Sequence, residues 1–508
     1  MPLVPLKIPA GLYRNGTPYT GKNRWADGNL VRWHDGAIRP IGGWQRRTAE
    51  NFLDIAAIIS DPTLEAVRDL FTWRDLDNKS NTVLGSNVGL YHLDNVGVVT
   101  DITYAGFVSS DKDMITFAGY GENPYGFGAY GAANPLTGID PILPARWYYS
   151  NFGEILITGS RANGGMYELD IATLTLSLVT NAPTDVQDAI VTDERQVLAI
   201  GGGDIPRRLQ ASDIEDRTDW TPATNNQSID RVIAGNGKLL RIINVLNSIL
   251  ILGENDANVA QYIGPPYVYR VDIAGENCGP LDAGAIAKTD RFAVWWGDRN
   301  FWLFDGTVRP VPCDVIDFLY EDLDFFQRGK ISTFTNTDYS EIWWLYQSTS
   351  TTTTEVDSYV MWDYQMNTWQ TGRLNRTAAL DKGILTTVLA INPDGEIFNH
   401  ELSDTFPSEG ECFIESGPLD IADGAVNMAV RYIYPDTAAT GGITFTLKGR
   451  QLPNAQEFDY GPYAYQQQQP IPTRAIGRQL RLRVDMTDAM AELGEVRFDI
   501  ANRGTGGR

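Results

Sequence analysis

A recurring strand unit between Phe71 and His400 constrains the fold of this chain more than any other feature. Each copy has an apolar strand, a short polar turn, a second strand that ends near a glycine, and an aromatic-rich third strand. The copies begin at Trp147, Ala189, Arg241, Arg291, Glu341 and Leu385, with a weaker one at Asn81. Their irregular spacing centres on roughly 40–50 residues, which is typical of four-stranded propeller blades.

Packing geometry explains why such units must assemble. A single small sheet cannot bury both of its faces, whereas successive sheets arranged around an axis cover those faces and expose only short edges. The sequence therefore predicts an all-β chain with a β-propeller of about six or seven blades over residues 67–402.

The two ends of the chain differ from this repeat. Residues 1–66 are predicted to form an extended arm and the first packing elements, because the stretch up to Arg47 is rich in glycine and proline and lacks a helical period. Residues 403–508 contain alternating strands such as "GITFTLKGR" and "RQLRLRVDM" between Gly, Pro and Asp turns. This pattern predicts a small C-terminal β-sandwich.

Composition limits the classes of partner. The chain carries 64 Asp and Glu against 41 Lys and Arg, a net charge of −23, so it lacks the cationic surface that tight DNA binding needs. Three widely separated cysteines indicate no disulfide framework. No secretory signal and no run of 18 apolar residues is present, so we predict no membrane segment.

A search for catalytic and metal-binding motifs gives no enzyme. There is no GxSxG nucleophile elbow, no phosphate loop and no paired-histidine motif. The three histidines, His34, His92 and His400, are expected on the surface or in turns. His34 and His400 each precede an acidic residue, but neighbours on a strand point to opposite faces, so neither pair is expected to form a dyad. The acidic stretch 212–220 is interpreted as a loop organiser. We predict no catalytic residue, no metal and no cofactor.

The densest unusual segment is "WADGNLVRWHDGAIRPIGGW", residues 25–44. Its Asp-Gly pairs, at positions 27–28 and 35–36, are turn signals, and its tryptophans are large apolar anchors. A second aromatic segment, "GYGENPYGFGAYG", has tyrosines at a five-residue spacing that suits neither a helix face nor a strand face. The predicted scaffold or interface residues are Trp25, Arg32, Trp33, Trp44, Tyr120, Tyr125 and Tyr130.

Several segments in a fixed order resemble a family of phage proteins. They are "IPAGLYRNGT", "NRWADGNLVRWHDGAIRPIGGW", "RRLQASDIEDRTDWTP", "WWGDRNFWLFDGTVRPVPC" and "EIWWLYQS". Together they resemble the β-propeller tail nozzle or hub proteins of short-tailed bacteriophages, of the packaged-DNA stabilisation type. The resemblance spans Ile8 to about Glu401 and carries no catalytic residues with it.

The resemblance implies a structural virion protein, assembled in the host bacterial cytoplasm. It would form a homo-oligomeric ring, usually a hexamer, below a tail adaptor or portal-proximal protein. The ring would close the DNA channel after packaging, conduct double-stranded DNA without tight binding during ejection, and anchor fibres or spikes. Two alternatives remain open: a receptor-binding or fibre-adaptor protein, and a propeller that binds or hydrolyses glycans.

Overall fold

The computed structural model gives an almost purely β-stranded chain. It describes residues 3–17, 19–47, 59, 61–114, 144–203, 205–402, 410–419, 426–452, 455–487 and 491–502. In that part of the chain the only α-helix is Ile316–Asp322, and the 3-10 helices are Ala283–Ala285 and Phe325–Lys330. No helix among these residues is long and apolar enough to cross a membrane. The all-β prediction is confirmed.

Seven four-stranded antiparallel sheets, numbered here 1 to 7, follow one another in the described part of the chain. Sheet 1 contains Val67–Arg74, Ser80–Ser86, Leu90–Leu93 and Val99–Asp101. Sheet 2 contains Trp147–Phe152, Ile155–Ser160, Tyr167–Asp170 and Thr175–Leu178. Sheet 3 contains Asp188–Val191, Val197–Ile200, Arg208–Ala211 and Ile229–Val232. Sheet 4 contains Leu239–Val245, Ser248–Gly253, Asp256–Gly264 and Val268–Glu276.

The remaining three of these sheets continue the order. Sheet 5 contains Ile286–Lys288, Ala293–Trp296, Phe301–Phe304 and Val308–Val311. Sheet 6 contains Ser332–Asn336, Glu341–Tyr346, Ser358–Asp363 and Thr368–Arg373. Sheet 7 contains Ala378–Leu380, Leu389–Ile391, Ile397–Asn399 and Gln45–Arg46.

The sheets surround one axis. The first strands of all seven line a common central cavity, and the first strand of sheet 7 packs against the first strand of sheet 1. Apolar clusters lie between neighbouring sheets; for example, Leu198 and Ile200 of sheet 3 pack with Ile249 and Ile251 of sheet 4. Each sheet therefore buries its faces against its neighbours, and the predicted β-propeller is confirmed.

Sheet 7 combines strands from distant parts of the sequence. Sheet 7 takes its fourth strand from the N-terminal segment, where Arg46 pairs with Phe398 and Gln45 with Asn399. Because the outer strand comes from one end of the propeller sequence and the inner three from the other, opening sheet 7 would break this main-chain pairing.

Two larger sheets lie outside the seven and hold the C-terminal strands. The five-stranded sheet contains Trp25–Asn29, Cys412–Ser416, Gln479–Met486, Ile443–Arg450 and Phe458–Ala464. The six-stranded sheet contains Val31–His34, Ala37–Pro40, Leu493–Asn502, Met428–Thr437, Ile471–Gly477 and Leu3–Leu6. Apolar side chains of both sheets share one core cluster with sheets 5 and 6.

The N-terminal segment, expected to be an extended arm, is built into both parts of the fold. Leu3–Leu6, Trp25–Asn29, Val31–His34 and Ala37–Pro40 pair within the larger sheets, and the next strand completes sheet 7. Its described strands therefore join the C-terminal sheets to the propeller.

One of the two predicted turns in this segment is present. Asp35 and Gly36 have φ values of 52° and 79° and form the two-residue hairpin turn that the Asp-Gly signal predicts. The expected turn at Asp27-Gly28 is wrong, because both residues lie in a strand that pairs with Cys412–Ser416. The pairing skips Ala26, which forms a bulge between Trp25 and Asp27.

Candidate functional site

The predicted tryptophans lie in the interior of a single chain. Trp25, Trp33 and Trp44 are 5%, 6% and 7% exposed and belong to the core cluster shared by the larger sheets and the propeller. Such indoles have almost no surface left for a neighbouring subunit, so they are scaffold residues rather than contact residues. Tyr120, Tyr125 and Tyr130 lie outside the described residues.

Arg32 occupies a buried ion cluster that joins the N-terminal segment to the propeller. Its Nε and Nη2 donate to the two carboxylate oxygens of Glu341 at 2.8 and 2.9 Å, and Nη2 also donates to Glu401 at 2.6 Å. Tyr339 lies below the guanidinium, with its ring centre 3.6 Å from Cζ. Trp343 Nε1 donates to Glu341 at 3.0 Å. One guanidinium thus serves two carboxylates, one in sheet 6 and one that follows the strand Ile397–Asn399 of sheet 7.

Burial and charge both act on this cluster. Burial raises the pKa of Glu341 to about 7, with attraction to Arg32 opposing the shift and the charge of Glu401 adding to it. Burial alone would lower the pKa of Arg32, but the two carboxylates outweigh it and raise that pKa. Arg32 therefore stays protonated, and the carboxyl group of Glu341 titrates near neutral pH.

Two histidines expected on the surface are buried. His400 stacks on Trp44 with ring centres 4.7 Å apart and accepts a hydrogen bond from Arg376 Nε at 3.2 Å. Burial and the neighbouring cations hold the pKa of His400 well below its usual range. His92 is also buried, 2.9 Å from the Asn81 side-chain oxygen. The expectation of surface exposure is therefore wrong for both rings, although His400 does lie at a bend after the strand Ile397–Asn399. His400 packs on an aromatic ring, whereas His92 has one polar partner and its Nδ1 has none within the described chain.

The third histidine, His34, contradicts the expectation that it and Asp35 point to opposite faces of a strand. Nδ1 of His34 lies 2.9 Å from Oδ2 of Asp35, although neighbours on a strand were expected to point apart. Asp35 has left the strand for the left-handed turn conformation, so its side chain swings back towards the ring. The imidazole has no further acidic or nucleophilic partner among the described hydrogen bonds.

The acidic stretch 212–220 organises its own loop. Asp213 accepts a hydrogen bond from the Gln227 amide at 2.8 Å, and Asp216 accepts from the Thr218 amide at 2.8 Å. Asp219 accepts from the Asn226 side chain at 2.9 Å. In the described residues no group of three or more His, Cys, Asp or Glu side chains is placed to hold a metal ion.

The central cavity is the concave site that sequence reasoning missed. Its volume is about 440 Å³, within the range of small-molecule sites. Charged residues at or next to the start of the first strands gather at one end, where Arg68, Arg146 and Asp188 are all at most 5% exposed. At the other end Lys288 is exposed and Asp381 half-buried. One end is therefore the closed end and the other the mouth.

A polar plug makes the closed end. Arg146 pairs with Asp69 of sheet 1 at 3.0 Å, and its guanidinium donates to the carbonyls of Gly329 and Ile331 beside sheet 6. It therefore reaches from sheet 2 across the axis. Next to it Arg68 makes a two-point pair with Glu355 at 2.8 and 2.9 Å. Charges at the start of successive repeat copies were the sequence signal for this plug.

Comparisons with known proteins do not assign the chain to a family. No family model and no curated protein sequence matches the chain. Among solved structures, the β-propeller domain of Myceliophteria thermophila Cps50 (Swd1) has 9% identity and a TM-score of 0.39, covering 67% of this chain and 100% of its own. Virginiamycin B lyase from Staphylococcus aureus has 6% identity and a TM-score of 0.39, with coverages of 67% and 96%. PorZ of Porphyromonas gingivalis has 10% identity and a TM-score of 0.34, with coverages of 83% and 43%.

Proposed function

We propose that this chain is a structural protein of a bacteriophage tail that forms the ring-shaped nozzle or hub. In this role a homo-oligomeric ring, most simply a hexamer, lies below an adaptor protein. It closes the DNA channel after packaging, conducts DNA at ejection and anchors fibres or spikes. The proposal assigns no catalytic residue and places the protein in the virion.

The observation that carries the proposal is the way one N-terminal segment ties the whole chain together. The same 45 or so residues supply strands to both larger sheets and to sheet 7, and Arg32 fixes the segment to Glu341 and Glu401. A body held in this way resists relative movement of its parts, as a building block of a pressurised channel must.

The closed axis and the surface charge support a channel between copies rather than within one. A DNA duplex does not fit a cavity of about 440 Å³ that Arg146 closes at one end. DNA would therefore pass through the hole of a ring of copies. A net charge of −23 disfavours adhesion of phosphates to the lumen.

We extend the proposal to the finer architecture. The seven four-stranded sheets are taken as the complete set of blades, because sheet 7 packs against sheet 1 and leaves no gap between them. The two larger sheets are taken as a β-sandwich, because their apolar faces share one core.

A stop codon in the gene of a phage that encodes this chain tests the proposal. We expect heads that fill with DNA and then lose it, on particles that lack the distal end of the tail. Particles that retain DNA but fail to adsorb would move the assignment to a receptor-binding protein. Stable, infectious particles would refute a tail role.

A further inference from the structure

The central cavity contains a cation that the protein leaves largely unpaired. Arg241, at the start of sheet 4, lines the cavity, and its side chain is 32% exposed. Its one charged contact among the described residues is Nε to Oδ2 of Asp188, at 3.4 Å. This distance exceeds that of a good charge-assisted hydrogen bond. The two Nη groups make no hydrogen bond within the described chain.

Asp188 cannot satisfy this guanidinium, because it already serves other groups. Its Oδ2 accepts from the Ile242 amide at 2.9 Å, and its Oδ1 accepts from the Ala189 amide at 3.1 Å. Arg161 approaches the same Oδ2 at 3.7 Å. Two guanidiniums therefore share one carboxylate that two backbone amides occupy.

The neighbouring Arg161 also lacks hydrogen-bond acceptors. Its Nε and Nη2 are shielded from water and have no hydrogen-bond partner. Burial lowers the pKa of Arg161; attraction to Asp188 opposes this shift, and the nearby charge of Arg241 adds to it. Of the other acidic groups at this end, Asp69 and Asp282 contact Arg146, at 3.0 and 3.5 Å. An oxyanion next to Arg241 would supply the missing acceptors and ease the repulsion between the two guanidiniums.

We propose that the central cavity is a binding site for a small oxyanion, a carboxylate or a phosphate, held in a two-point contact by the Nη groups of Arg241. The planar guanidinium fork matches either group. The site is independent of the proposed tail function, because it needs only one copy of the chain.

Calorimetric titration of the full-length protein tests this site, with inorganic phosphate and with malonate as separate probes at constant ionic strength. We expect saturable binding of at least one probe, and a loss of affinity of about tenfold or more in Arg241→Gln. Arg270→Gln is the matched control. Arg270 lies on the outer strand of the same sheet, 65% exposed and paired with Asp272, and its substitution should leave the affinity unchanged.

Each outcome of the titrations either supports the site or rules it out. Binding of phosphate alone or malonate alone supports the site and identifies which chemistry it takes. Absence of saturable binding by both probes, or equal affinity in Arg241→Gln, overturns it. If Arg241→Gln does not fold, Arg241→Lys keeps the charge but loses the fork, and it must weaken binding relative to the Arg270→Gln control for the proposal to stand.

Discussion

Arg32→Met is the substitution that most sharply tests how the N-terminal segment is held. It removes three charge-assisted hydrogen bonds and leaves Glu341, 2% exposed, with Trp343 Nε1 as its remaining side-chain donor. Breaking a buried pair by removing one partner costs about 3–5 kcal/mol. We expect that loss of unfolding free energy at pH 7.

The cost should also depend on pH. With Arg32 present the pKa of Glu341 is about 7, and without the guanidinium it should be higher. Between those two values only the variant must protonate the carboxyl to stay folded, so the difference in stability should grow by about 1.4 kcal/mol per pH unit above 7. Below pH 7 the carboxyl is protonated in both proteins and the difference should level off.

Urea unfolding followed by tryptophan fluorescence at pH 6, 7 and 8.5 measures both effects. Arg270→Met is the control, since it breaks an exposed pair with Asp272 and should change stability by less than about 0.5 kcal/mol. Equal stability of Arg32→Met and Arg270→Met at all three pH values would refute this role of Arg32.

Three further predictions concern other parts of the chain. Trp33→Ala should cost about 3–5 kcal/mol of packing, whereas Phe326→Ala, at a side chain that is 68% exposed, should leave the melting temperature nearly unchanged. In the wild type, stability should fall as pH rises from about 4.5, the ordinary pKa of Glu, to about 7, the folded pKa of Glu341, and should level off above 7; Glu341→Gln should flatten that slope. Burial raises the pKa of Cys278 to about 11 and also raises those of the other two thiols, so a thiol reagent at pH 8 should label all three only after denaturation.

The repeat could be predicted from the sequence because its signal is local. Apolar second strands mark the copies and aromatic third strands mark most of them, although the third strand of sheet 3, Arg208–Ala211, has no aromatic residue. The copies fall on the sheets of the structure. The spacing looked irregular for a physical reason. Copies at Trp147 and Arg241 begin at or within the first strand, whereas those at Arg291 and Glu341 begin at the second. First strands such as Ile286–Lys288 are short and line a polar cavity, so they lack the apolar signature.

The pairing of the N-terminal segment could not be predicted in the same way. Arg46 pairs with Phe398 and Arg32 with Glu341, contacts that cross some 300 residues or more. Nothing in a local window specifies such a partner, because register between distant strands depends on packing faces and not on propensity. The segment was recognisable as scaffold from its tryptophans. The sequence did not show that its strands join the C-terminal sheets to the propeller.

The site was recognisable only in part for a similar reason. Arg32 was singled out, yet its partners Glu341 and Glu401 were not, since neither belongs to a motif. Arg146 and Arg241 stand at or next to the start of repeat copies, so aligning the copies would have revealed a charged position there. Which of these charges remains unpaired depends on backbone amides such as those of Ala189 and Ile242, and those contacts exist only in the folded chain.

Electron cryomicroscopy of the purified full-length protein, alone and with the tail protein that lies above it, tests the central claim most directly. We predict a closed ring, six-fold in the simplest case, in which whole propellers surround a central hole and each propeller axis is closed. A monomer under both conditions, or a trimer that decorates host cells, would contradict it.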